Sequence, residues 1–199
     1  MATKEYSCVR KTKKAFERSL VELSGELPLN KITVKLICER AQLSRNAFYF
    51  HYRDINDLVA DIENSLIGEA EQLIESLSDV GFPKNVYATV EGLINILDSR
   101  KETCLMLFNK TSTNVISRLG SLFCNFNYNY FKQFHGDKDR TNFDFYYMFL
   151  SNGFYGLISY WFANYEKMTK NEVTALAYIL IKRLIIPNNP DITFATAGK

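Results

Sequence analysis

Between Lys31 and Leu58 the chain reads KITVKLICERAQLSRNAFYFHYRDINDL, and this stretch leaves little choice of local structure. Thr33, Ser44 and Asp54 each stand just ahead of apolar side chains at helical spacing. A side-chain oxygen at such a position accepts a bond from a backbone N–H two or three residues on, which starts a helix there. The pattern predicts two short helices joined by a turn at Gln42-Leu43, then a third that begins after Asp54. Asp57 puts a second carboxylate into the first turn of that third helix, at its positive end. Leu36 occupies the equivalent position after Thr33, so no reciprocal capping box forms there.

Helices this short are not stable alone and must be pinned by an apolar face. For the first of the pair that face is Val34, Ile37, Cys38 and Ala41; for the second it is Phe48 and Tyr52, with Leu43 from the turn. Opposite Phe48 and Tyr52 lie Arg45, Asn46 and Tyr49. Arginine forks onto guanine O6 and N7, asparagine pairs with adenine N6 and N7, and Ala47 and Phe50 offer only apolar contact, for example to a thymine methyl. Tyr49 and His51 are placed to donate to phosphate oxygens, and Lys31, Lys35 and Arg53 add charge. The helix starts at Thr33 and Ser44 present backbone N–H groups suited to phosphate. A short reading helix, a support helix and phosphate contacts together make a helix-turn-helix DNA reader.

Charge supports this only through its distribution. The chain has a net charge of +2, but residues through position 57 carry +4 and the remainder −2. The N-terminus has no apolar segment of the secretory kind, and no apolar run is long enough to cross a membrane. Cys8, Cys38, Cys104 and Cys124 are widely spaced with no CxxC pair, which points away from zinc and towards a reduced, cytoplasmic protein. Cys38 and Cys104 fall on apolar stripes and are expected as small core residues. Two histidines, no nucleophile motif and no phosphate-cradling glycine loop argue against an enzyme; no catalytic residue, metal or cofactor is expected.

The rest of the chain reads as helix throughout. A first helix covers 9–25, with Val9, Ala15, Phe16, Leu20 and Leu23 on one side, and Gly25 is expected to end it. A long helix after Asp54 is expected to run to about Asp79, with the break at Gly81-Phe82-Pro83. Further helices are expected near 84–99, 101–109, 113–134, 142–166 and 170–186, about nine in all. The segment FDFYYMFLSNGFYGLISYWFANY is apolar almost all round, so it requires cover on every side. The fold class is therefore all-α: a three-helix head over 1–57 and a larger helical domain over 58–199.

Residues 9–58 resemble the DNA-binding domain of the TetR family of bacterial transcription regulators. The matching residues are Thr33-Val34, Ile37, Ala41, Leu43-Ser44, Phe48-Tyr49, His51-Tyr52, then Asp54 and Leu58. The resemblance implies a DNA-binding transcription regulator, most simply a homodimeric repressor of a palindromic double-stranded operator, released by a small molecule. The alternative is a co-activator or adaptor whose C-terminal domain answers to a protein partner. It also implies phosphate contacts at Thr33, Lys35, Tyr49 and His51, and base reading by Arg45, Asn46 and Ala47; Lys31, Ser44 and Arg53 join the DNA-binding set on their charge and the helix start alone. A small apolar or aromatic ligand would meet Phe108, Phe123, Phe126, Tyr130, Phe131, Phe143, Tyr147 and Phe154. A dimer face is implied at Phe154, Tyr155, Ile158, Trp161, Phe162, Leu176, Ile179, Leu180 and Arg183. Three positions depart from the family pattern. Gln42 replaces the usual glycine, at a cost of about 1 kcal/mol if the turn is left-handed. Ala47 replaces threonine, and Ile55 replaces a phosphate-contacting lysine.

Overall fold

The structure, a computed structural model, describes residues 2–77, 84–108, 115, 118–119, 121–122 and 140–185. Among these residues there are helices and turns and no strand. In chain order the helices are α1 (Ala2–Glu26), α2 (Val34–Ala41), α3 (Arg45–His51), α4 (Ile55–Ser76), α5 (Lys84–Ser99), α6 (Lys101–Phe108), α7 (Arg140–Ala163) and α8 (Lys170–Ile185). Short 3-10 turns lie at Leu29–Lys31 and Tyr165–Lys167. The expected break at 79–83 and most of the helix expected over 113–134 lie outside the described residues.

The chain forms two compact units. One comprises Met1–Gly68 with Arg100–Thr113, the other Glu69–Ser99 with Asn114–Lys199. In the first unit α1 packs on α2, α3 and α6. Its core is Phe16, Leu20, Ile37, Phe48, Leu58 and Leu66, all fully buried, with Cys38 and Cys104 also inside. Arg100, just before α6, donates to Glu17 of α1 and to Ser65 of α4. That charge-assisted pair, only 13% and 26% exposed in its side chains, ties α6 to the head.

α1 is longer than the apolar stripe suggests and runs through Gly25. The Leu27 N–H still donates to the Leu23 carbonyl at 2.8 Å, so the stop comes at Pro28. The residue before a proline is pushed out of the helical region, and this ends the helix more firmly than a glycine in the last turn.

The turn between α2 and α3 closes on Gln42, at φ 55° and ψ 38°. The Leu43 N–H bonds the Cys38 carbonyl at 3.0 Å and the Gln42 N–H the Glu39 carbonyl at 3.2 Å. This is the paired-bond stop that normally places glycine at the left-handed position. Gln42 carries its Cβ there against the carbonyl clash.

In the second unit α8 packs against both α5 and α7. Val86, Val90, Ile94 and Leu97 of α5 meet a core that also holds Ile158, Trp161, Val173 and Ala177. The Trp161 indole N–H donates to the Met168 carbonyl at 2.9 Å, and its ring stacks on Tyr165 at 5.2 Å. The Tyr165 hydroxyl donates to Asp98 at 2.6 Å, fastening the turn before α8 to the end of α5. α8 starts with a full capping box: Thr169 Oγ1 accepts from the Glu172 N–H, and Glu172 accepts from the Thr169 N–H at 2.8 Å. Within this unit a Cβ at Gly92 would meet Leu73 Cδ1 at 2.5 Å, so glycine sets how closely α5 approaches the end of α4.

Gln42→Gly is expected to stabilise the first unit by roughly 0.5 kcal/mol, the amount by which relief of the left-handed strain exceeds the added freedom of the unfolded chain. Urea denaturation checks this; a loss of stability would mean that the Gln42 side chain holds the turn by other means.

Candidate nucleic-acid interface

The candidate site is built on α3, and its orientation comes from one buried side. Phe48 is fully buried and Tyr52 is 3% exposed. Phe48 meets Phe16 edge-on at 5.3 Å, Tyr52 meets Phe16 edge-on at 6.3 Å, and Phe48 and Tyr52 lie tilted to each other at 5.6 Å. Three rings from α1, α3 and the residue after α3 thus lock the rotation of the short helix. Edge-to-face geometry of this kind adds to the area buried.

Caps fix both helix starts. Thr33 Oγ1 accepts from the Leu36 N–H at 3.3 Å, and Ser44 Oγ accepts from the Ala47 N–H at 3.1 Å. Asp54 accepts from the Asp57 N–H at 2.9 Å and Asp57 from the Arg53 N–H at 3.0 Å, so the start of α4 is also capped from both sides. All three N-caps lie where the sequence places them.

With Phe48 and Tyr52 inward, Ser44, Arg45, Asn46, Tyr49, Phe50 and Arg53 are exposed, and Ala47 and His51 are half-buried at the margins. Tyr49 of α3 is 58% exposed and Tyr52, just after it, is core, which separates the two tyrosines by role. Lys31, Thr33 and Lys35 are exposed nearby in the chain. Two of the cations already have acidic neighbours: Lys35 pairs with Glu39 at 3.8 Å and Arg53 with Asp57 at 3.4 Å. These exposed pairs are weak and can yield to phosphate. The Arg53 backbone N–H and then its guanidinium hold the Asp57 carboxyl below its usual range. Among the described residues no carboxylate lies within ion-pair distance of Lys31 or Arg45.

A network that sequence reasoning missed lies behind the helix. Asp61 of α4 accepts from the Tyr52 hydroxyl at 2.8 Å and from Lys13 of α1 at 3.1 Å, and the Lys13 ammonium sits over the Tyr52 ring at 5.4 Å. Burial, and then the Asp61 bond, pushes the Tyr52 hydroxyl far above its usual range, so it remains a donor. Burial, and then Lys13, lowers His51 below 6.5, against the opposing pull of Asp61. Arg40 forks onto Glu26 with two bonds of 2.8 Å and joins α2 to the end of α1. Neither Asp61 nor Glu26 belongs to a local motif, so no signal in the sequence marks it.

The two other groups of expected site residues are placed differently. Of the proposed ligand contacts, Phe108 is half-buried on α6 in the first unit, and Tyr147 and Phe154 are half-buried on α7 in the second. Phe123, Phe126, Tyr130, Phe131 and the Phe143 side chain lie outside the described residues. Ile158, Trp161 and Phe162, expected at an interface between copies, are core residues of the second unit, 1%, 2% and 5% exposed in the single chain. Trp161 packs there on Phe162 and Tyr165, and α8 packs on α7 within the same unit. The opposite side carries Phe145, Met148, Phe149 and Tyr160, each at least 60% exposed, and Asn152, Gly153 and Gly156 lie between them, also exposed. Phe154, Tyr155 and Leu176 are half-buried, and Ile179, Leu180 and Arg183 are exposed on α8.

Among the described residues no group of three His, Cys, Asp or Glu side chains could hold a metal ion, and no helix is long and apolar enough to cross a membrane. The family model for a TetR-type transcriptional regulator C-terminal region matches residues 84–183, half of the chain. Comparison with curated proteins finds no match. A solved TetR-family transcriptional regulator from Syntrophomonas wolfei superposes with a TM-score of 0.70 at 10% identity, covering 90% of this chain and 97% of its own. A TetR transcriptional regulator from Streptococcus agalactiae superposes with a TM-score of 0.60 at 20% identity, covering 91% and 99%. At these identities the structural likeness speaks for the fold, and the match over 84–183 for the family. With a helix-turn-helix head at one end and that regulator region at the other, the chain belongs to the TetR family of transcriptional regulators.

Proposed function

We propose that the protein is a homodimeric repressor that binds a palindromic operator through residues 1–57 and is released by a small apolar or aromatic ligand in residues 58–199. The observation that carries the DNA-binding part is the outward face of α3. Arg45 and Asn46 lie exposed beside Tyr49 on a helix whose rotation is locked by Phe48 and Tyr52. Arg45 and Asn46 read base edges, and Ala47 lies beside them with only a methyl to offer. Lys31, Thr33, Lys35, Ser44, Tyr49, His51 and Arg53 set the register on phosphates. This reading includes no enzymatic activity and a cytoplasmic location.

TetR-family regulators typically dimerise. The exposed face of α7, with Ile179, Leu180 and Arg183 of α8, is the surface that fits a second copy. Four large apolar side chains around two glycines leave a face that stays in contact with water in the single chain. Two heads held by such a contact gain affinity for a palindrome that one short reader lacks. Ligand release works through α4, which contributes residues to both units. A ligand that binds better to the state with the heads out of register shifts the population towards it.

Three outcomes test the proposal. Selection of duplexes from a random pool yields a palindrome; on it Arg45→Ala relaxes preference at one base pair by about 1–3 kcal/mol, whereas Lys35→Ala weakens all duplexes alike and reduces the salt slope. If neither variant changes binding, the head assignment fails. Acidification from pH 7.5 to pH 6 adds more affinity to the wild type than to His51→Gln. The free His51 is held below 6.5, a nearby phosphate raises it, and binding therefore takes up a proton. Gly153→Leu leaves the helicity of the single chain intact, because a Cβ there meets nothing within 4 Å, but yields monomers by sedimentation velocity, with a lower thermal stability because the partner no longer stabilises the folded state. A dimer that persists in this variant removes this face as the interface.

A further inference from the structure

Phe50 is the most exposed large apolar side chain among the described residues, at 80%. It lies about 200° of helix rotation from the buried Phe48 and one turn beyond Asn46. The middle of the outward face of α3 therefore runs through Asn46 and Phe50, with Arg45 and Tyr49 on one flank and Ala47 on the other. The Phe50 ring meets the His51 imidazole edge-on at 4.9 Å, a contact to its own chain neighbour that leaves the ring uncovered.

A phenyl ring at the centre of a reading face can neither donate nor accept a hydrogen bond. It cannot hold a phosphate or follow the donor and acceptor pattern of base edges. The apolar feature that the major groove offers is the C5-methyl group of thymine. One helical turn, about 5.4 Å, corresponds to about one or two base pairs along a strand. We infer that Phe50 is a specificity-determining residue that packs on a thymine methyl within one or two base pairs of the base read by Asn46. This rests on the DNA-binding reading above and adds a contact that no hydrogen bond would reveal.

The experiment uses the full chain and the duplex selected from the random pool, with each thymine replaced in turn by deoxyuridine, which lacks only the methyl. Fluorescence anisotropy at fixed salt measures the affinity. One thymine in each half-site is expected to lose roughly three- to ten-fold on replacement. Phe50→Ala is expected to bind the thymine and deoxyuridine duplexes equally. Its circular dichroism should match the wild type, since the ring it removes is exposed. The inference is overturned if no replacement weakens the wild type, if the loss is the same in Phe50→Ala, or if the selected site has no constant thymine. If no duplex is selected at all, the DNA-binding reading falls and this inference with it; a tightly bound site indifferent to deoxyuridine overturns this inference alone.

Discussion

The packing of Phe48 against Phe16 and Tyr52 is the constraint on which the reading head depends. α3 has seven residues, too few to hold a helix in water by its own hydrogen bonds. Burying each of these aromatic side chains contributes about 1.5–3 kcal/mol, and the edge-to-face pairs about 0.5–1.5 kcal/mol more. That energy does two things at once. It keeps the helix formed, and it sets the rotation at which Asn46 and Phe50 point outward. A helix free to turn by even one residue position would present a different set of side chains.

Polar groups around this cluster reinforce the same geometry. Tyr52 is an apolar wall for Phe48 and, through its hydroxyl, a donor to Asp61, which also receives Lys13. One carboxylate thus joins α1, the end of α3 and α4. The ion pair itself is half-exposed and contributes little net energy; its effect is to fix which way the ring and hydroxyl point. Arg100 plays the corresponding part for α6, at a more buried pair with Glu17. Near the outward face the arrangement is looser. Lys35 and Arg53 have only exposed acidic neighbours, whose hold phosphate can replace.

α7 carries the strongest contrast between two sides of one element. Ile158, Trp161 and Phe162 are closed off within the second unit, while Phe145, Met148, Phe149 and Tyr160 are left to solvent. A helix that is apolar all round needs two partners. α8 is the first, and the glycines on the open side leave room for a second backbone to approach.

Local chemistry was legible from the chain alone. The caps at Thr33, Ser44 and Asp54, the turn at Gln42 and the inward pair Phe48 and Tyr52 all depend on groups within a few residues of one another. Hydrogen-bond chemistry and helical spacing determine such features before any packing occurs. The all-helical class and the likeness of the head to its family were legible for the same reason. Tertiary structure decided what joins distant positions: Lys13 to Asp61 across 48 residues, Arg40 to Glu26 across 14, Arg100 to Glu17 across 83. It also decided which side of α7 became core. Periodicity shows that a helix has an apolar side, but only the neighbour packed against it selects which residues that side contains.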